Sequence, residues 1–315
     1  MKIIAVIVTY NRLKLLKKCL QHVKDQTRKP DNIIVINNGS TDETGEWLSE
    51  QDVLTYTQEN KGGAGGFSLG INKAFAHGAD WIWLMDDDTI PQADALEQLL
   101  NVLNKLQDRR ESIGFLSSTV LWTDGDIHEM NRVYALHDEA KKAKLAFPEE
   151  VEYPFVQFGT FVSMLLSAKA VKKVGLPIKE YFIWNDDVEY SKRVIAAGMA
   201  GLAVKDSIIV HETPSNHESN VFTDPPASLW KFRYGLRNEL FTKRMHEGEI
   251  KFWISWTHRM FIMPFRIALR RKTHKWAFIK TVWQTSMNAV FFRPSIQIAD
   301  EKEQTHARQY EKAEG

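Results

Sequence analysis

The 315-residue chain has one cysteine, Cys19, so no disulfide can form within it. A single thiol excludes the stapled, loop-rich scaffolds of small secreted domains and fits a reducing compartment. Cys19 falls on the apolar face of a predicted helix, where buried filler is its natural role. No apolar run reaches the roughly 18 residues needed to cross a bilayer. Residues 1–8 are apolar only for the length of a strand before Asn11-Arg12 interrupts them. They lack the apolar core and small-residue cleavage site of a signal peptide, so a cytoplasmic protein is expected. Net charge is nearly absent too, at +1, which argues against binding nucleic acid with the whole surface. Two nucleotide signatures are missing. No Gly-Lys-Ser/Thr follows the glycine-rich segment, and no Gly-x-Gly-x-x-Gly opens the first strand–helix unit. Both absences count against kinases and dehydrogenases.

What is present supports a sizeable core. With 43% apolar and 11% aromatic residues, the chain can fill one large domain or two modest ones. Residues 3–8 are β-rich without alternation, as in a central parallel strand covered on both faces. Leu13, Leu16, Leu20 and Val23 then recur at helical spacing. Strands are predicted at 33–36, 53–57, 81–85, 113–117, 157–166 and 208–210, and helices at 67–77, 93–106 and 168–174. This alternation predicts an α/β fold with a doubly wound, mostly parallel sheet flanked by helices. Ligands of such sheets bind at the carboxyl ends of strands, and the polar clusters at 9–11, 37–42 and 86–88 all fall there. Residues 122–155 are charged and without clear period, which reads as an insertion on the acceptor side.

The chain is organised around Trp81-Ile82-Trp83-Leu84-Met85-Asp86-Asp87-Asp88, an apolar strand ending in three carboxylates. Like charges at one tip repel unless something positive sits among them. Oxygen ligands of this kind suit Mg²⁺ or Mn²⁺ that also takes oxygens from a substrate diphosphate. A solvated acidic loop is the alternative, made less attractive by the position at a strand end. Asn60, Lys61 and the glycines 62, 63, 65 and 66 precede a predicted helix. They read as a loop passing close to a sugar nucleotide, or as a flexible connector. A second acidic centre, Trp184-Asn185-Asp186-Asp187-Val188-Glu189-Tyr190, opens another helix that Asn185 or Asp186 can cap. Acidic residues in a first turn also serve as ordinary dipole compensation. With Trp184 ahead of them, Asp186 and Asp187 read as a carboxylate base beside an aromatic surface for a sugar ring. His211 closes the last strand, either as an ordinary polar residue or as a third metal ligand.

From Lys231 to Val282 there are thirteen Lys/Arg against three Asp/Glu, interleaved with aromatics. The segment Arg266-Ile267-Ala268-Leu269-Arg270-Arg271-Lys272 is basic and amphipathic. It suits an interfacial helix on an anionic bilayer, or a helical subdomain with its aromatics inward and a solvated basic face. The organisation expected is a domain over 1–225, with a donor half at about 1–117 and an acceptor half at about 118–225. A helical basic region over 226–299 and a flexible tail over 300–315 follow.

Together, Val8-Thr9-Tyr10-Asn11-Arg12, the Asn-Gly-Ser-Thr-Asp at 38–42, the Asp triplet at 86–88 and the segment 184–190 resemble family 2 glycosyltransferases of the GT-A fold. Tyr234-Gly235-Leu236-Arg237-Asn238 resembles a motif common after the catalytic domain of that family. The glycine loop and the Trp-x-Asp-Asp form of the acidic motif are most similar to bacterial galactofuranosyltransferases, and next to rhamnosyltransferases using dTDP-rhamnose. The resemblance covers about residues 1–240. It implies that Thr9, Asn11, Arg12, Asn38 and Asp42 line the nucleotide pocket, with Asn60, Gly65, Gly66, Asp86 and Asp87 also on the donor. It implies a metal (Mn²⁺ or Mg²⁺) at Asp86, Asp88 and His211, Asp187 as general base, and Trp184 and Asp186 toward the acceptor. The expected partners are a nucleotide sugar, best UDP-galactofuranose, and a lipid-linked cell-surface glycan at the inner face of the cell membrane. Inversion at the anomeric carbon follows from a single displacement. One departure is Asn37, where many members have Asp, which puts a base-reading contact in doubt. A nucleotidyltransferase or a non-catalytic sugar-nucleotide-binding module are the readings from other classes.

Overall fold

The computed structural model describes residues 1–142, 144–145 and 152–300. The expected tail thus falls almost wholly outside the described residues, as does part of the charged stretch before 155. Eight strands form one sheet: β1 (Ile3–Thr9), β2 (Asn32–Asn37), β3 (Leu54–Thr57), β4 (Trp81–Asp86), β5 (Thr89–Pro91), β6 (Ile113–Leu121), β7 (Met164–Ser167) and β8 (Ala200–His211). Their order is β3-β2-β1-β4-β7-β6-β8-β5. The pairs β1–β2, β1–β4, β2–β3 and β6–β8 are parallel. The short β7 runs antiparallel to both β4 and β6, and β5 antiparallel to β8. The mostly parallel α/β sheet read from the sequence is therefore the fold, with two antiparallel insertions.

Successive residues of a strand face opposite sides of a sheet, and β1 uses both. Ile3, Ala5 and Ile7 join the core under α1 (Leu13–Lys24), α2 (Thr44–Ser49) and α4 (Ala95–Lys105). Ile4, Val6 and Val8 join the opposite core under α3 (Gly62–Ala76). Cys19 is fully buried in the first of these. A four-residue helix, α5 (Glu139–Lys142), lies in the charged stretch, and α6 (Ala168–Val174) and α7 (Asp186–Ala196) cover the second core.

Four local expectations are corrected. Helix α3 begins at Gly62, so the glycines form its first turns and do not precede it. A Cβ on Gly66 would sit 2.4 Å from Val8 Cγ1, and one on Gly70 2.4 Å from Val6 Cγ1. The helix lies too close to β1 for any side chain there. The strand expected over 157–166 is only β7, because Gly159 is tied to Ser191 through both its N–H and its carbonyl and Ser163 is left-handed. The last strand runs twelve residues, not three, its register shifting opposite Ser118/Thr119. Asn185 holds the N-cap position of α7 in the left-handed region, but its side chain makes no cap bond.

Beyond residue 225 the chain is helical: α8 (Leu229–Glu247), α9 (Glu249–Thr257), a π-helical turn (His258–Ile262), α10 (Met263–Arg270) and α11 (Lys275–Phe291). Phe232, Leu236, Ile267, Phe278 and Val282 form a core of their own that Trp184 joins from the α/β part. The chain then returns to the sheet. Leu176 N–H donates to the Gln297 carbonyl at 2.8 Å, and Ala299 is buried in the second core.

Candidate active site

The site lies where β1, β2 and β4 end. Strand β4 delivers Asp86, and the chain turns at once into β5, whose Thr89 pairs opposite His211 of β8. Glu212 N–H donates to the Asp88 carbonyl at 2.9 Å, closing that pairing. Sheet register thus carries His211 to the acidic turn across 123 residues, with Nε2 3.1 Å from Asp88 Oδ1. Ligand atoms of Asp86, Asp88 and His211 all lie within 4.8 Å of one another.

On the other side of the turn, Thr9 Oγ1 donates to Asp87 at 2.7 Å. Arg12 Nη1 donates to Asp88 at 2.7 Å and reaches Asp87 at 3.3 Å. Asn11, left-handed, accepts the Thr41 N–H at 2.7 Å, and Asn37 accepts that of Ser40 at 2.9 Å. Asp42 accepts the Thr44 N–H at 3.1 Å. Asn38 is buried and spent internally: it donates to the Gly62 carbonyl at 2.8 Å and accepts from Gln58 and Lys61. Asn60 accepts the Gly62 N–H at 2.9 Å. Asn38 and Asn60 therefore fix the start of α3. Gly65 and Gly66 lie inside that helix, where packing against Lys61 and Val8 accounts for their lack of a side chain.

Charge does not balance here. Burial, with Asp88 and Asp87 beside it, pushes Asp86 well above the usual carboxylate range, and Asp187 adds to that field. Burial raises Asp87 to about 6 despite Arg12. Burial would raise Asp88 as well, but the His211 contact and the bond from Arg12 hold it at about 2. His211 Nδ1 lies 2.8 Å from Asn131 Oδ1, and the Asn131 amide nitrogen donates to Thr160. Nδ1 must then be the donor, so Nε2 faces Asp88 with a lone pair unless protonated. Two acceptors meet at 3.1 Å, a contact that needs a proton or a cation between them. An oxygen-and-imidazole donor set with surplus negative charge fits a divalent ion of the Mg²⁺ or Mn²⁺ kind.

The Asp186–Asp187 pair lies at the start of α7. Burial and the neighbouring Asp187 push Asp186 well above its ordinary range. Burial raises Asp187 to about 6, held back by N–H bonds that include Val188 at 2.7 Å. Environments that separate two carboxyl pKa values also separate their roles. With its pKa at about 6, Asp187 is largely ionised near neutral pH and can accept a proton.

The sequence model of glycosyl transferase family 2 matches residues 4–113. Galactofuranosyltransferase GlfT1 of Mycobacterium tuberculosis (strain CDC 1551 / Oshkosh) is 31% identical over 223 residues, spanning 68% of this chain and 71% of that protein. The chain belongs to glycosyltransferase family 2. GlfT1 of Mycolicibacterium smegmatis is likewise 31% identical, over 62% of this chain and 66% of its own length. The crystal structure of GalNAc-T7 with UDP, GalNAc and Mn²⁺ superposes on all of this chain and 57% of that one, with TM-score 0.58 at 14% identity. The fold of this glycosyltransferase is thus GT-A.

Three features of the site were hidden from sequence reasoning. Asn131 and the fully buried His128, whose ring lies tilted against that of His211 with centroids 4.6 Å apart, come from the charged stretch read as an insertion. Burial beside His211 lowers His128 to about 4, so it is neutral there. Lys231 of α8 sits over Trp184 within the fields of Arg12 and Asp88. Trp184 itself commits one face to α8, edge-on to Phe232 and against Gly235, where a Cβ would lie 2.4 Å from its ring.

The third is the anchoring of the loop that carries the acidic pair. Phe182, Trp184 and Asn185 are all left-handed, and each such non-glycine residue costs about 1–3 kcal/mol, so the surroundings must enforce it. Asn238 does so. Its buried Nδ2 lies 2.9, 3.0 and 2.9 Å from the carbonyls of Tyr181, Ile183 and Trp184. Two hydrogens are shared among three acceptors. Arg237 donates to Asn238 Oδ1 and to the Glu180 carbonyl, fixing the amide's orientation. Asn238→Ala is expected to lower stability by about 2–3 kcal/mol through the stranded carbonyls and kcat at least about tenfold through relaxation of the loop. Asn238→Asp, with no hydrogen to give, should do the same, as thermal melts and steady-state kinetics would register.

Proposed function

We propose that this glycosyltransferase moves galactofuranose from UDP-galactofuranose onto a hydroxyl of a growing, lipid-linked cell-surface glycan, with inversion. The observation that carries the donor is the 31% identity with galactofuranosyltransferases across two thirds of the chain. The joining of Asp86, Asp88 and His211 at one strand end supports the metal dependence.

In this reading the nucleotide lies along the carboxyl ends of β1 and β2, near Thr9, Asn11, Arg12 and Asp42. Arg12 and Lys231 add positive charge beside the departing diphosphate. Asp86, Asp88 and His211 hold the divalent cation, and what it supplies when bound is neutralisation of the leaving group's extra charge. Asp187 takes the proton of the acceptor hydroxyl as its oxygen attacks the anomeric carbon from the face opposite the nucleotide. The carbon–oxygen bond to the diphosphate breaks in the same displacement, so no second protein nucleophile is needed. Asp186 and Trp184 border the acceptor.

The test is nucleoside diphosphate release from a panel of UDP-, dTDP- and GDP-sugars, with Mn²⁺ or EDTA and a polyprenyl-linked glycan acceptor. Release from UDP-galactofuranose that EDTA abolishes is expected. Release from dTDP-rhamnose alone would keep the chemistry and replace the donor. Silence across the panel would overturn the catalytic reading.

A further inference from the structure

Residues 250–299 contain nine Lys/Arg and no Asp or Glu. Two of the nine point inward: Arg259 donates to the Leu236 carbonyl, and Arg271 donates to Val221 at 2.7 Å. Six others, Lys251, Arg270, Lys272, Lys275, Lys280 and Arg293, are exposed. Large apolar side chains are exposed among them, in register. Phe261, Phe265 and Leu269 follow one another at four-residue spacing along the π turn and α10, and Phe265 is 65% exposed. Trp276, Trp283, Met287 and Phe291 follow at spacings of seven, four and four residues along α11, with Trp276 at 75%. Residues four apart share a helix face. The two helices pack together, Trp283 Nε1 donating to the Met260 carbonyl at 2.9 Å, while Ile267, Phe278 and Val282 occupy the buried sides. The inward faces are thus already satisfied, and the outward ones carry the surplus apolar surface.

We infer that this outer face of the π turn, α10 and α11 docks on an anionic lipid surface. Exposed rings and aliphatic side chains interspersed along the chain with exposed Lys and Arg, in a stretch without one carboxylate, match the acyl–headgroup boundary of a bilayer carrying negative lipid. A second copy of the chain fits poorly. A two-fold contact sets the same patch against itself, and here that brings like charge against like charge. No helix among the described residues is long and apolar enough to cross a membrane, so the contact is with the surface.

The 315-residue chain is mixed with vesicles of phosphatidylcholine alone, or with about one third phosphatidylglycerol, and pelleted. Partition at least about tenfold stronger on the anionic vesicles is expected, and salt should weaken it. Phe265→Ser with Leu269→Ser, and separately Lys272→Glu with Lys275→Glu, replace exposed side chains and should each lower that partition about tenfold or more. Circular dichroism checks that both variants are folded. Binding that ignores lipid charge, or that survives either pair of substitutions, overturns the inference. So does self-association of the parent chain, seen by light scattering, that the serine pair abolishes without any vesicle binding. The readout is binding, so its failure is separate from failure of the donor assay.

Discussion

Asp187→Asn lowers kcat by about 10²–10⁴, the usual contribution of a positioned general base, while the protein stays folded. Asparagine keeps an oxygen to accept the Val188 N–H, so the first turn of α7 survives and only basicity is lost. The wild type should carry the matching pH signature. Burial raises Asp187 from its ordinary range to about 6, and the reaction needs the carboxylate. Acceptor-dependent kcat/KM should therefore be flat above that value and fall as pH drops through it. For stability the sign is opposite. A carboxyl whose folded pKa is raised opposes folding once it must ionise, so the Asn variant should be at least as stable as the parent at pH 7. Asp186→Asn is the control. Asp186 is pushed well above its ordinary range by burial and by Asp187 and should tolerate the change with a far smaller loss. A pH-rate profile and a melt for each variant decide the matter. An Asp187→Asn enzyme within about threefold of wild type would remove Asp187 as the base.

The parts of this molecule that sequence conveys are those where one local pattern has one physical outcome. Short, β-rich apolar runs without alternation, such as 3–8 and 81–85, favour a strand covered on both faces, and β1 and β4 are that. Carboxylates at such an end must meet a cation or each other, and Asp87 and Asp88 both meet Arg12. Where tertiary contact overrides local preference, sequence reading fails in a specific way. Glycine disfavours helices, so 62–66 read as a loop, yet contact with Val8 admits nothing larger at Gly66. Lys205 and Asp206 interrupt the apolar pattern of β8 where its register with β6 shifts, so its first half was invisible. Asn131 and His128 arrive from a segment with no periodic or motif signal. Only the folded chain shows that Asn131 sets which nitrogen of His211 faces the acidic turn.

Glu189→Gln is expected to cost about 3–5 kcal/mol, because it leaves a buried guanidinium without its counter-charge. Glu189 is fully buried and two residues beyond Asp187, which makes it easy to read as part of the chemistry. Its contacts say otherwise. Arg193 holds both its oxygens at 2.9 Å, and His246 of α8 lies 3.5 Å away. Arg193 also donates to the Val174 and Leu176 carbonyls at 2.6 and 3.1 Å. Glu189 therefore ties α7 to the end of α6 and to α8. Burial alone would raise its pKa, but His246 and Arg193 together bring it below the ordinary value of 4.5. Its contribution is thus fully present above that value and lost as pH falls through the lower folded one. A drop in Tm of roughly 10 °C at pH 7 is expected for the variant, shrinking toward acid pH as the wild type loses the same interaction. Because Glu189 touches no reacting group in the proposed mechanism, kcat measured well below the melting range should stay within about fivefold of wild type. Removing both charges, as in Glu189→Leu with Arg193→Leu, should destabilise less than the two single changes added together, since neither partner is then buried alone. A large kcat loss at unchanged Tm would instead move Glu189 from scaffold to chemistry and reopen the choice of base between it and Asp187.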